Sequence, residues 1–370
     1  GRSYLPAGAV TGVGSLPIAE PGQAVAFVAA HAPEVPFWPQ LPLRHAGEGM
    51  LRQTIGDPGP LIVAEGSRIR VAAGRVAELI AWLDDAPVAI GVHEAAGFQA
   101  FVRALRRGLL PAAKAVKGQL TGPLTLAAYL DHDGRPASQH PDLAAALVRR
   151  VAARAAWQAR RLADHGLPTL VVVDEPVLGA MGPTLVDDAS DALRRVLQAI
   201  RDNGAIAGLH TCATGRVPLR SGPDQAAGAG HAPPLWQPDL WSVDVHGRDG
   251  LLPQPVGEGW ADGGLLAAGL VPTVSVPSAL PAPADLVGAW LAAAAPIGDV
   301  EALADRTLVT ATCGLAGVSL EAAEASFAHA TETARHIRRL AGTLGVAGGA
   351  LHRRQALPPP TATRARTDRS

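Results

Sequence analysis

Eight short apolar runs alternate along this chain with alanine-rich stretches of helical periodicity, and that alternation constrains the fold more than any other feature. The runs are AVTGVGS (9–15), VPFWPQL (35–41), AVKGQLTG (115–122), TLVVVDEP (169–176), IAGLHTCA (206–213), LWSVDVHG (240–247), LAAGLVPT (266–273) and LVTATCG (308–314). The clearest helical patterns between them are residues 141–166 and 187–204, with Gly166 and Gly204 where helix-ending glycines belong. Strands separated by helices pair in parallel, because a parallel partner needs a long crossover. Eight such units predict a closed α/β barrel, a single (β/α)8 TIM barrel over residues 1–345. An open doubly wound sheet is the alternative. Residues 57–75, DPGPLIVAEGSRIRVAAGR, read as a small hairpin insertion. Residues 346–370, basic and proline-rich, read as a disordered C-terminal tail.

Composition narrows the partners. Hydrophobic residues make up 48% and charged residues 18%, enough apolar material for one large core. A net charge of −1, from 32 basic and 33 acidic residues, gives no electrostatic case for nucleic acid or a membrane surface. Residues 265–284 are uncharged and long enough to span a bilayer, but Pro272, Pro277, Pro281 and Pro283 argue for a strand and a loop. Two cysteines in 370 residues do not suggest a secreted disulfide scaffold. The opening GRSYLPAGAVTGVGSLP lacks the continuous apolar core of a secretory signal, so a cytoplasmic location is expected.

The chemistry concentrates where the apolar runs end. His210 and Cys212 stand two apart on one run, so imidazole and sulfur point to the same side. That pairing suits Zn2+. A buried cysteine beside a hydrogen-bonded histidine is the plain alternative. The only other cysteine, Cys313, ends another run, and Asp244 ends a third. In a parallel barrel all three open on the face where such folds place their chemistry. Three protein ligands and an open or exchangeable fourth position, drawn from His210, Cys212, Asp244 and Cys313, match a catalytic metal site better than a structural one. A Cys212–Cys313 disulfide stays open at this point. Ser15 follows two glycines, where backbone N–H groups could hold a carboxylate. Asp174 and Glu175 follow three valines, so one carboxylate faces the barrel mouth and could bind an ammonium, unless the pair caps a helix. Lys117, Gln119 and Thr121 share one strand face, as a packing group or a substrate wall.

Taken in order, VKGQLTGPLT, VVVDEP, LHTC and ATCGL resemble the catalytic barrel of cobalamin-independent methionine synthases. They are also similar to the wider group that holds corrinoid-dependent methyltransferases and uroporphyrinogen decarboxylase. The resemblance runs from about residue 9 to about residue 340. It implies that His210, Cys212 and Cys313 hold zinc, and that Asp244 stands where the family carries a glutamate ligand. It implies that Ser15 holds the carboxylate of an amino acid and that Asp174 holds its ammonium, with Glu48, in LRHAGEGMLRQ, as a second acid.

The implied activity is methyl transfer to the thiol of homocysteine, giving methionine. The sequence departs from the long enzymes in having one barrel. It also carries Thr273 or Val274, in GLVPTVSVP, where they carry a proton-donating histidine. Methyltetrahydrofolate needs protonation before it yields its methyl group, whereas cobalt(I) is itself a good leaving group. The donor expected from this departure is a methylated corrinoid protein, with methyltetrahydrofolate as the alternative and His231 or His246 as substitute acids. Two other functions stand beside it: a decarboxylase of the uroporphyrinogen type, and a barrel that binds zinc or an amino acid without catalysis.

Overall fold

The structure is a computed structural model that describes residues 5–65, 68–180, 184–185, 187–212, 220–221, 237–246, 264–295 and 298–342. The expected tail at 346–370 lies outside the described residues. In chain order the strands are β1 (Ile62–Glu65), β2 (Arg68–Val71), β3 (Val116–Thr121), β4 (Leu130–His132), β5 (Arg135–Pro136) and β6 (Thr169–Asp174). They continue with β7 (Thr184–Leu185), β8 (Ile206–Thr211), β9 (Arg220–Ser221), β10 (Leu240–Asp244), β11 (Leu265–Val271) and β12 (Thr307–Ala311).

Six strands form one curled, all-parallel sheet in the order β12-β11-β10-β8-β6-β3. Their near-continuous apolar sequences follow from burial on both faces. Every residue of β3, β10 and β11 is buried. Helices Pro141–Ala163, Asp187–Arg201, Pro283–Ala294 and Leu320–Gly342 pack on the outer face.

Six of the eight expected strands pair in ladders. Runs 9–15 and 35–41 make no ladders. They meet the sheet edges and each other through single parallel bridges: Val10 with Val309, Ser15 with Gln40, and Phe37 with Lys117. The sequence explains the difference. Pro36 and Pro39 have no N–H to donate, and Gly12 and Gly14 weaken an extended run.

The hairpin insertion is present as β1 and β2, antiparallel, with Ile62 opposite Val71. It is larger than the sequence suggested, because β4 adds in parallel beside β2 and β5 completes a four-stranded sheet. Two buried arginines on helix Pro141–Ala163 fasten the neighbouring loops. Arg150 donates to the carbonyls of Ile55, Ala86 and Pro87 at 3.0, 2.8 and 3.0 Å. Arg154 donates to Gln53 O at 2.6 Å and to Glu94 Oε1 at 2.7 Å. Among the described residues no helix is long and apolar enough to cross a membrane. The uncharged stretch at 265–284 is β11, a loop and the start of helix Pro283–Ala294.

One glycine fixes how the second run sits. Helix Ala96–Arg106 lies so close to it that a Cβ on Gly97 would stand 1.9 Å from Pro39 O. Backbone cannot yield there cheaply. Gly97→Ala is expected to lower stability by about 2 kcal/mol or more, read as a shift in the urea midpoint at constant m.

Candidate active site

Parallel strands put their carboxyl ends on one side of the sheet, and a cavity of about 380 Å³ opens there. Ser15, Glu48, Asp174, His210, Cys212 and Cys313 all line it. These are six of the seven residues to which the resemblance gives a role in holding metal or substrate. The seventh, Asp244, is buried at the end of β10, next to Val243, which pairs with Thr211 of β8. It is not part of the cavity wall.

β8 carries His210 inward, and the register sets its partner. Ser242 lies opposite on β10, and its Oγ is 2.9 Å from His210 Nδ1. The other ring nitrogen, Nε2, is buried and makes no hydrogen bond of ordinary geometry. The two sulfurs interact. A hydrogen bond from Cys212 and the nearby His210 imidazole pull the Cys313 thiol down to about 4, and the same hydrogen bond together with burial drives Cys212 far up. Both are free thiols, which settles the disulfide alternative against a bond. Among the described residues no group of three His, Cys, Asp or Glu forms a ready metal cage. The donor set still suits a borderline-soft divalent ion: an imidazole held from behind by a hydroxyl, beside two sulfurs, one of them with its pKa drawn well down.

The acid pair at 174–175 divides its work. Asp174 lines the cavity, and its Oδ1 is buried without a partner. Burial pushes its carboxyl up to about 6, against the pull of His210 and Lys117. Glu175 turns away and caps helix Pro123–Tyr129. It accepts from Leu124 N at 2.8 Å, Thr125 N at 2.7 Å and Thr125 Oγ1 at 2.6 Å. The capping reading thus holds for Glu175, while Asp174 faces the cavity.

Glu48 is pinned on one side only. Arg44 Nη1 donates to its Oε1 at 2.7 Å, while Oε2 is buried and unpartnered. Ser15 sits against the turn after β12. Leu315 N donates to Ser15 O at 2.9 Å, and a Cβ on Gly314 would stand 2.2 Å from Ser15 Oγ. Lys117, Gln119 and Thr121 are not among the lining residues; their polar atoms bond internally to Val13 O, Trp38 O and Met50 O.

Sequence reasoning missed Gln40. It lines the cavity and starts a buried relay, donating to Gln53 Oε1 at 2.7 Å, while Gln53 donates to Glu94 O at 2.9 Å. The one available signal was a glutamine inside an otherwise apolar run. Thr273, where the resemblance led a proton-donating histidine to be expected, has its Oγ1 3.4 Å from Thr312 Oγ1. His246 is exposed, and His231 lies outside the described residues.

Parallel α/β architecture, with a cavity at the strand ends whose wall includes ionisable side chains, is the class that the geometry defines. No protein-family profile matches the sequence, and no curated protein matches it significantly. Among solved structures, the chain is similar to a B12-independent methionine synthase from Shewanella sp. W3-18-1, solved in complex with selenomethionine. The TM-score is 0.56 at 14% identity, covering 91% of this chain and 98% of that one. A putative vitamin-B12-independent methionine synthase from Listeria monocytogenes gives a TM-score of 0.40 at 11% identity, covering 88% of this chain and 86% of that one. The first likeness establishes a methionine synthase-like fold and nothing finer.

Proposed function

We propose that this chain is a zinc-dependent methyltransferase that moves a methyl group to the thiol of homocysteine, giving methionine. One observation carries the reading: two sulfurs, an imidazole, two half-satisfied carboxylates and a serine, drawn from distant parts of the sequence, wall one cavity. Its volume of about 380 Å³ is within the range of small-molecule sites. The selenomethionine held by the Shewanella protein is consistent with an amino-acid ligand.

In this reading Ser15 and the glycine-rich turn before it hold the substrate carboxylate. Asp174 Oδ1 and Glu48 Oε2 each have a free acceptor for its ammonium. His210, Cys212 and Cys313 hold zinc, with Asp244 as the fourth candidate ligand. Zinc, when bound, keeps the substrate sulfur ionised near neutral pH, where a free thiol of pKa about 8.5 is mostly protonated. The residues of the chain do the rest by orientation. The thiolate sulfur forms the new bond to the methyl carbon, and the electron pair of the broken bond leaves with the donor. Thr273 offers no strong acid to a leaving pterin, so the proposed donor is a methylated corrinoid protein, whose cobalt(I) leaves unprotonated. We also infer that the two bridging runs complete an eight-unit barrel, and that a reducing cytoplasm keeps both cysteines as thiols.

Elemental analysis and a methyl-transfer assay on the purified protein test this. About one zinc per chain and homocysteine-dependent methionine formation from methylcobalamin are expected. Turnover with methyltetrahydrofolate alone overturns the corrinoid donor. Zinc and methionine binding without transfer from either donor assigns the non-catalytic reading, which the missing acid favours. Absence of zinc, with no methionine from any donor, sinks the proposal and leaves a decarboxylase.

A further inference from the structure

Lys117 is the one lysine in the interior, only 3% exposed, and the chemistry above does not use it. Its Nζ donates to Val13 O at 2.7 Å and to Gln119 Oε1 at 3.0 Å, and stands 6.0 Å from the Phe37 ring centroid. Gln119 in turn donates from Nε2 to Trp38 O at 2.8 Å. Two side chains of β3 therefore reach across both runs that lack ladders. Val13 and Ser15 stand two apart on the first of these, and both line the cavity.

An ammonium deep in a protein is expensive, and an alkyl chain would fill the same space without that penalty. Burial already lowers the Lys117 amine to about 8. The cost has a visible return in geometry. Around Ser15 the backbone offers little: Leu16 N to Gln40 O at 3.0 Å, Gln40 N to Gly14 O at 3.0 Å, and the Leu315 contact. Gly12 and Gly14 flank Val13 with no side chains of their own to anchor it. A charge-assisted bond to the Val13 carbonyl fixes that peptide, and with it the direction of the next turn.

We infer that Lys117 is a positioning residue for the substrate carboxylate, holding the Val13 carbonyl so that the Gly14–Ser15 turn faces the cavity. The inference rests on the reading of Ser15 given above. It goes further by assigning the buried lysine of the VKGQLTG run a part in amino-acid recognition without contact to the ligand.

A double-mutant cycle tests it, with methionine titrated calorimetrically into the zinc-loaded full chain. Lys117→Met is expected to weaken methionine binding roughly tenfold, the order of one charge-assisted hydrogen bond. Zinc content should stay unchanged. Ser15→Ala should weaken binding comparably, and the double variant should bind no worse than the weaker single one. If Lys117→Met fails to fold, Lys117→Gln goes through the same cycle. Losses that multiply in the double variant overturn the inference and make Lys117 a general packing residue. Wild-type affinity in Lys117→Met overturns it too. An unchanged affinity in Ser15→Ala refutes the carboxylate role of Ser15, and this inference falls with it. The first two failures leave the proposed function standing.

Discussion

Cys313→Ser and Cys212→Ser proteins are expected to lose metal and activity together. Thiolates are the soft donors of this site, and a serine hydroxyl neither ionises near neutral pH nor matches zinc in softness. Cys212 and Cys313 interact, and that contact draws the Cys313 thiol down, so each substitution also changes the surroundings of the sulfur that remains. Each substitution should weaken zinc binding by at least ~100-fold, beyond the 10–100-fold typical of losing a supporting group. Ser242→Ala supplies that milder comparison, because Ser242 touches only the far nitrogen of His210. Zinc by competition with a chromogenic chelator and methionine formation by chromatography give the two readouts. Full zinc occupancy with normal turnover in both cysteine variants would end the metal assignment.

Glu175→Ala is expected to be the most destabilising single change near the site, by about 3 kcal/mol or more. It strands the N–H groups of Leu124 and Thr125 and the Thr125 hydroxyl in a dry interior, and leaves a gap besides. Glu175→Gln separates shape from charge. Burial pushes the Glu175 carboxyl up from 4.5 to about 7, despite three donors that favour the anion. Between those values the folded state keeps a proton that the unfolded state has released. Stability from this group is therefore complete below about pH 4.5 and is lost as pH rises through about 7. The amide of the Glu175→Gln variant cannot titrate, so that share of the decline should vanish in it. Urea midpoints at a series of pH values check it. Parallel pH profiles for wild type and variant would show that Glu175 is charged throughout.

The parts legible in the sequence were those set by local pattern. Six apolar runs became ladder strands because nothing in them blocks pairing. Asp174, His210, Cys212 and Cys313 could be placed because each follows a strand, and parallel strands must end together. What could not be read depended on partners far along the chain. Glu175 looked equivalent to Asp174 until Thr125, fifty positions earlier, claimed it. Gln40, Gln53 and Glu94 carry no spacing that marks a relay. Runs 9–15 and 35–41 had the hydrophobicity of strands, but glycines weaken the first as an extended run and prolines remove N–H groups from the second. Asp244 shows the finest limit: it ends a strand beside β8, one position past the Val243–Thr211 pair, and is not among the residues that line the cavity.

The single-bridge seam between strands β12 and β3 gives the molecule an uneven stiffness. Sulfur and imidazole stand on continuous ladders, where opening a peptide means breaking its neighbours as well. Serine and glutamine stand on a join stitched at isolated points. Amides from Thr11 to Leu16 should therefore exchange with deuterium well before those of β8, and a guest arriving in the pocket would find one anchored wall and one that breathes.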